Sequence, residues 1–253
     1  MVTRRGFGLI GLGAVVAGLS GCGGAGDRAE KIRAWLADQP AVERVEKVEV
    51  RRRLEALLTA EYFATAVLRA SATAAQLEPL VAGWRRQVGS WTTAGLTLDG
   101  RVGLHLYGEF DGSRLTAIWQ QLVEDRRVTG ARVSARHRLG DNWQRGMVEV
   151  TGAGFEVYAA LIAPGSGVLD HGYNLRLNAP RVGLEVRDAA ELARASRAGV
   201  AAVLAIAPQI TLSGLLQEGA SWLEIRRAGD RSEEVARVWQ QAGGPATVRL
   251  RFP

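Results

Sequence analysis

The chain has 253 residues, 47% hydrophobic and 23% charged, with 32 basic and 26 acidic side chains, three histidines and one cysteine. Nearly half apolar residues at ordinary charge content exclude a disordered tail, a collagen and a disulfide-stapled miniprotein. A single cysteine forms no internal disulfide and builds no cysteine-rich zinc or iron–sulfur centre.

The chain opens with Arg4-Arg5, an uncharged apolar stretch from Gly6 to Gly18, and then Leu19-Ser20-Gly21-Cys22. A basic start, a short apolar core and small residues before a cut site read as an export signal over residues 1–21. The apolar core is too short for a permanent span, which takes about 20 apolar residues. An ordinary N-terminal helix seldom carries so many glycines, each costing about 1 kcal/mol against alanine. Gly11-Leu12-Gly13 follows no strand, so it is not a dinucleotide-binding turn.

Leu19-Ser20-Gly21-Cys22 resembles the lipobox of bacterial lipoproteins, and Thr3-Arg4-Arg5-Gly6-Phe7 is similar to the twin-arginine export motif. The first resemblance implies cleavage between Gly21 and Cys22 and a diacylglyceryl group, with palmitate-like chains, on the Cys22 thiol. Two acyl chains, at about 0.8 kcal/mol per buried methylene, suffice for stable anchoring. The expected location is the extracytoplasmic face of the cell membrane, with residues 22–26 as the lipidated linker. Loss of Arg4 and Arg5 with the signal lowers the net charge from +6 to +4. An exported chain does not meet the chromosome, so no nucleic-acid partner is expected. A protein partner, anionic lipid or a wall polymer takes that place.

Downstream, apolar residues switch repeatedly between helix and strand periods. Asp27 to Asp38 predicts a helix, and Val45, Val48 and Val50 mark a strand. Tyr62 to Leu68 predicts a strand and Ala74 to Val88 a helix; Leu96 and Leu98 begin the next strand. Val102, Leu104 and Leu106 alternate as a strand, Asp111-Gly112-Ser113 predicts a turn and helix cap, and Leu115, Ile118, Trp119 and Leu122 form a helix stripe. Val133 and Leu139 mark the return. Val182 to Ser213 predicts strand, helix (Ala189 to Ala207) and strand again. Trp222 to Arg227, the stripe of Val235, Val238 and Trp239, and Ala246 to Phe252 complete the series.

These make four strand–helix–strand units, starting near residues 61, 102, 182 and 222. Trp119-Gln120-Gln121 and Trp239-Gln240-Gln241 take equivalent places in two of them. The expected fold is α+β: small sheets with helices on one face. Two pseudo-duplicated halves follow from the spacing, residues 27–140 and 141–253.

Asp99-Gly100-Arg101-Val102-x-Leu104-x-Leu106-x-Gly108-Glu109, followed by a helix and the return Gly130-x-x-Val133, resembles the BON domain. That family is a bacterial-envelope module of αββαβ order. The resemblance implies such an order within residues 27–139 and a role in binding membranes or envelope partners.

Catalytic signals are sparse. Ser166, Asp170 and His171 share the glycine-rich loop 163–174, which invites a hydrolase triad. Adjacent loop residues show no sign of a base reaching a nucleophile, and no Gly-x-Ser-x-Gly elbow exists. No His, Cys, Asp or Glu spacing suits a metal, and no cofactor is expected. Trp35, Trp84, Trp119 and Trp239 fall within helix stripes and are assigned to the core; Trp91 and Trp143 lie near turns.

One constellation remains. Arg132, Arg136 and Arg138 alternate with Val133 and Leu139, and Arg249 and Arg251 alternate with Val248, Leu250 and Phe252. On an open sheet face they form a basic binding surface whose planar forks match phosphates or carboxylates. The alternative pairs the arginine strands with Glu46, Glu49, Glu149 and Glu224. The expectation is a lipid-anchored, non-catalytic envelope binding or scaffolding protein. An envelope hydrolase using the 163–174 loop and a structural subunit of a membrane complex are its rivals.

Overall fold

The structure is a computed structural model and describes residues 21–52, 60–88, 94–112, 114–139, 142–152, 154–165 and 168–253. Helix α1 (Gly21–Ala37) leads into β1 (Val42–Arg52) and β2 (Ala60–Leu68), then α2 (Ala74–Val88), β3 (Ala94–Asp99) and β4 (Val102–Tyr107). A two-residue β5 (Phe110–Asp111) precedes α3 (Leu115–Glu124) and β6 (Val128–Ser134). Next come β7 (Arg136–Leu139), β8 (Asn142–Gln144), β9 (Met147–Gly152), α4 (Phe155–Leu161), β10 (Asn174–Ala179) and β11 (Val182–Arg187). The chain finishes with α5 (Ala190–Ile206), β12 (Thr211–Gln217), β13 (Trp222–Arg226), α6 (Ser232–Gln241) and β14 (Arg249–Arg251). Residues 22–26, expected to be a linker, belong to the first turns of α1.

The fold is α+β, with helices on a sheet. In place of small sheets there is one sheet of 11 strands in the order β1-β2-β3-β4-β6-β9-β10-β11-β12-β13-β14, beside a 3-stranded sheet β5-β7-β8. Strand order in the main sheet follows chain order. Pairings alternate between antiparallel hairpins and parallel crossovers, and β6 pairs antiparallel with β9 across residues 140 and 141.

Five strand–helix–strand crossovers result, one more than the sequence suggested. The added unit is β9-α4-β10, whose strands pair in parallel from Met147↔Asn174 to Thr151↔Asn178. One backbone bond identifies the repeat. The carbonyl just before a unit's first strand accepts from the N–H that starts or enters its second. The bonds are Ala131 to Arg101 (2.8 Å), Asn174 to Gly146 (2.8 Å), Leu212 to Arg181 (2.8 Å) and Arg249 to Ser221 (3.1 Å). A second mark is backbone in the left-handed region directly after the first strand, at Gly108 (φ 55°), Asp188 (φ 52°) and Arg227 (φ 62°). Glycine takes that conformation freely; the other two bear a cost of about 1 kcal/mol or more each.

Side chains directly paired across strands share a face, and the buried positions stay in register across the sheet. Tyr62↔Ala94, Leu96↔Leu106, Leu104↔Val133, Val133↔Val148, Val148↔Leu175, Leu175↔Val186, Val186↔Leu216 and Leu212↔Ile225 form one apolar face. The helices bury their stripes there: Leu77, Leu80 and Trp84 from α2, Leu115, Ile118 and Leu122 from α3, Val157 and Leu161 from α4. Trp84, Trp119 and Trp239 are buried as expected, and Trp119 Nε1 donates to the Val102 carbonyl at 2.7 Å. Gly199 lets the Trp239 ring lie flush on α5, since a Cβ there would come within 2.6 Å of it.

Strand direction reverses from each crossover to the next, while the sheet grows toward one edge and all the helices share one face. Successive crossovers are therefore of opposite hand. About 98% of such connections are right-handed, so at least two of these five run against the preference.

Candidate functional site

Among the described residues the other face of the sheet carries no helix. One row of this open face is traced by register: Gly103, Arg132, Glu149, Arg176, Glu185, Leu215, Trp222 and Arg249. Arginine and glutamate alternate through its centre. Arg176 bridges both neighbours, with Nη1 2.7 Å from Glu149 and Nη2 2.9 Å from Glu185. Arg187 also donates to Glu185 and Arg226 to Glu224. At the ends, Arg51 lies 4.5 Å over the Phe63 ring and Arg251 4.8 Å over the Trp222 ring. Glu149 and Glu224 thus meet Arg176 and Arg226, arginines that the sequence reading did not name. Burial opposes ionisation of Glu185, but hydrogen bonds from Arg187 and Arg176 together hold its carboxyl below the usual range.

The five arginines singled out by sequence are not brought together. Arg132 lies on the open face, 4.0 Å from Asp99. Arg249 shares its row but is six strands away, about 29 Å at ordinary strand spacing. Arg251 sits beside Arg249 on β14. The chain leaves the main sheet after Ser134, so Arg136 belongs to the small sheet, where Asp111 lies 3.8 Å away. Arg138 is in β7, and its side chain falls outside the described residues, as do those of Gly21, Cys22 and Trp143. Arg4, Arg5 and Trp91 lie outside them entirely.

Of the hollows in the surface, which reach about 400 Å³, two hold residues that the sequence reading singled out. The larger, about 300 Å³, is on the open face, where Gly103 and Gly130 strip the sheet of side chains between Asp99, Arg132 and Arg176. Asp99 pairs with Arg132 and Glu149 with Arg176, while Arg101 is bonded to three backbone carbonyls. His105 lies beside it in β4; burial, then Arg132 and His137, hold its imidazole below the usual value.

The smaller hollow, about 220 Å³, is lined by Asp111, Arg114, Arg136, Asp170, His171 and Tyr173. It contains two of the three residues of the hydrolase alternative; Ser166 lies outside the described residues. Asp170 does not orient His171. Its carboxylate accepts from Arg194 and, at 2.7 Å, from the Gly165 N–H, and these bonds hold it below the usual carboxylate range. Arg194 is itself fixed to the Ile162 carbonyl at 2.9 Å. His171 faces the Arg114 guanidinium through its Nδ1. Burial and then Arg114 lower its basicity. A cation where a triad has its carboxylate disfavours a base role.

Sequence reasoning passed over Arg114 because it reads as a turn residue. It also missed the identical tetrapeptides Arg101-Val102-Gly103-Leu104 and Arg181-Val182-Gly183-Leu184, which mark two units directly. Among the described residues no helix is long and apolar enough to cross a membrane, and no group of three His, Cys, Asp or Glu gathers as a metal site requires. No family model, no curated protein and no solved structure matches the chain.

Proposed function

We propose that this is a lipid-anchored cell-envelope protein that binds a protein partner through the open face of its sheet and performs no reaction of its own. Cys22 in Leu19-Ser20-Gly21-Cys22 supplies the diacylglyceryl anchor once residues 1–21 are removed. That location agrees with the resemblance of Asp99 to Glu109 and of Gly130-x-x-Val133 to the BON envelope module.

The observation that carries the binding role is the one-sided sheet. Helices cover one face of 11 strands, and among the described residues the other carries no helix and is mostly polar. Its charge alternation favours a protein over anionic lipid or wall polymer. A uniformly negative surface would meet Glu149, Glu185 and Glu224 as well as the arginines beside them. A protein surface can answer each sign in turn.

Two experiments test this. Metabolic labelling with a clickable palmitate analogue is expected to mark the wild type and not Cys22→Ser, which should leave the membrane fraction. A Cys22→Ser chain that keeps the label removes the anchor. Photocrosslinkers placed at Thr97 and Ser213 on the open face should give discrete adducts that one at Arg197, on exposed helix α5, does not. Adducts from Arg197 alone would overturn the docking face.

A further inference from the structure

The repeat is interrupted where unit β4-α3-β6 meets unit β9-α4-β10. There the chain inserts β5, β7 and β8 and lengthens the loop between α4 and β10; β5, β7, this loop and Arg114 at the start of α3 wall the 220 Å³ hollow.

The charges of the hollow pair off with one exception. Asp111 lies 3.8 Å from Arg136, and Asp170 is held by Arg194. Arg114 has no carboxylate within ion-pairing distance among the described residues. Its guanidinium meets the His171 ring instead. Arg114 also occupies the N-cap of α3 with φ 63°, in the left-handed region, and its side chain makes no cap bond. Glycine would serve the backbone better at this position. The strain is borne by a residue whose side chain reaches the hollow, a pattern characteristic of functional sites.

A second group is half used. Tyr173 is 2% exposed; the Arg136 backbone N–H approaches its buried hydroxyl oxygen, but no acceptor for the hydroxyl proton lies among the described residues. A buried hydroxyl proton without an acceptor is costly. The ring cannot swing away, because it is pressed on Gly146, where a Cβ would sit 2.3 Å from it. The hollow thus holds an uncompensated guanidinium fork, a neutral imidazole and an idle hydroxyl donor.

We infer that this hollow binds a small oxyanion, a carboxylate or a phosphate, held by the Arg114 fork and the Tyr173 hydroxyl. A guanidinium matches two oxygens of either group in its plane. The neutral His171 ring accepts from Arg114 and aims it. The space is below the range of about 300–1,000 Å³ used for drug-sized ligands, so the ligand is a small acid or a terminal acidic group. The inference is independent of whether the open face carries a partner.

Titration calorimetry of the detergent-solubilised full chain, with sodium phosphate in one series and sodium succinate in another, tests the site. Saturable binding of one or both is expected, and the comparison tells phosphate from carboxylate. Arg114→Gly should weaken binding about tenfold or more, the loss of one charged, bidentate contact, while Tm stays level or rises as the strain is relieved. Tyr173→Phe should weaken it severalfold without loss of Tm. Arg114→Lys, which keeps the charge and loses the fork, should fall between. No saturable binding of either anion by the wild type would overturn the inference. So would wild-type affinity in both Arg114→Gly and Tyr173→Phe.

Discussion

Arg101 and Arg181, eighty residues apart, close the C-terminal ends of two crossover helices in the same way. Arg101 donates to the Val123 carbonyl, to Asp125 at 3.3 Å and to Val128 at 2.7 Å. Arg181 donates to Leu204 and Ala207 at 2.7 Å each and to Ile210 at 3.0 Å. The last carbonyls of a helix have no partner within it and carry its negative end. Each arginine fills that vacancy and ties the helix to the strand that follows.

Removing one clamp therefore has a defined cost. Arg181→Ala should lower stability by about 2 kcal/mol, the range for hydrogen bonds to a charged group. Arg181→Lys should recover less than half of it, because an ammonium cannot serve three carbonyls from one plane. Urea unfolding measures both, and an unchanged midpoint in Arg181→Ala would contradict the clamp.

The two tetrapeptides also set up an internal control. A Cβ on Gly103 would lie 2.8 Å from the Leu98 carbonyl oxygen, whereas on Gly183 it would meet only Ser213 Cβ at 3.9 Å. Gly103→Ala should cost about 1–3 kcal/mol through forced backbone movement. Gly183→Ala should change stability by no more than about 0.5 kcal/mol or raise it slightly. Equal effects at the two positions would show that the motif, and not the local fit, decides.

Tyr158 is fully buried in α4, and its hydroxyl has no hydrogen-bond partner among the described residues; burial pushes its ionisation well above the ordinary range. Tyr158→Phe removes the stranded hydroxyl and keeps the ring. Thermal unfolding should show a Tm equal to or above that of the wild type. A fall worth more than about 1 kcal/mol would reveal a bound water or a partner for that oxygen.

The open-face ladder makes stability depend on acid. The Glu185 carboxyl is held below its usual value, burial opposing and Arg187 and Arg176 together prevailing. A depressed carboxyl stabilises the fold above its unfolded value and loses that contribution as pH falls through the folded value. Arg176→Met should therefore be destabilising near neutrality and nearly silent in acid below the ordinary glutamate range. Urea titrations of both chains at neutral and acid pH check this. A penalty that persists in acid would assign Arg176 a packing role.

Much of the architecture was legible because its signals are local. The alternation of Val102, Leu104 and Leu106, and the stripe of Leu77, Leu80, Val81, Trp84 and Val88, name their elements and their buried faces without outside help. The unit β9-α4-β10 escaped because α4 has seven residues and is followed by Pro164-Gly165, so two turns of helix read as part of a loop. Strand order was not legible. Only register places Arg176, which the sequence reading did not name, between Glu149 and Glu185. For the same reason Arg132 and Arg249 could be put on one face while the distance between them stayed hidden. Arg114 carried no signal, since a left-handed arginine looks like any other residue before a helix.

Because the strands enter the sheet in the order of the chain, β1 and β14 lie at opposite edges, about 48 Å apart at ordinary strand spacing. Residue number is thus a coordinate along the molecule, as in stacked repeat proteins. No strand waits for a partner from the far end: each hairpin and crossover adds to the edge left by the one before. Growth of this kind is a zipper, in which damage to one tooth loosens its neighbours and leaves distant ones closed. Hydrogen exchange should then travel inward from the three-residue β14 as denaturant rises, with the teeth nearest α1 the last to open.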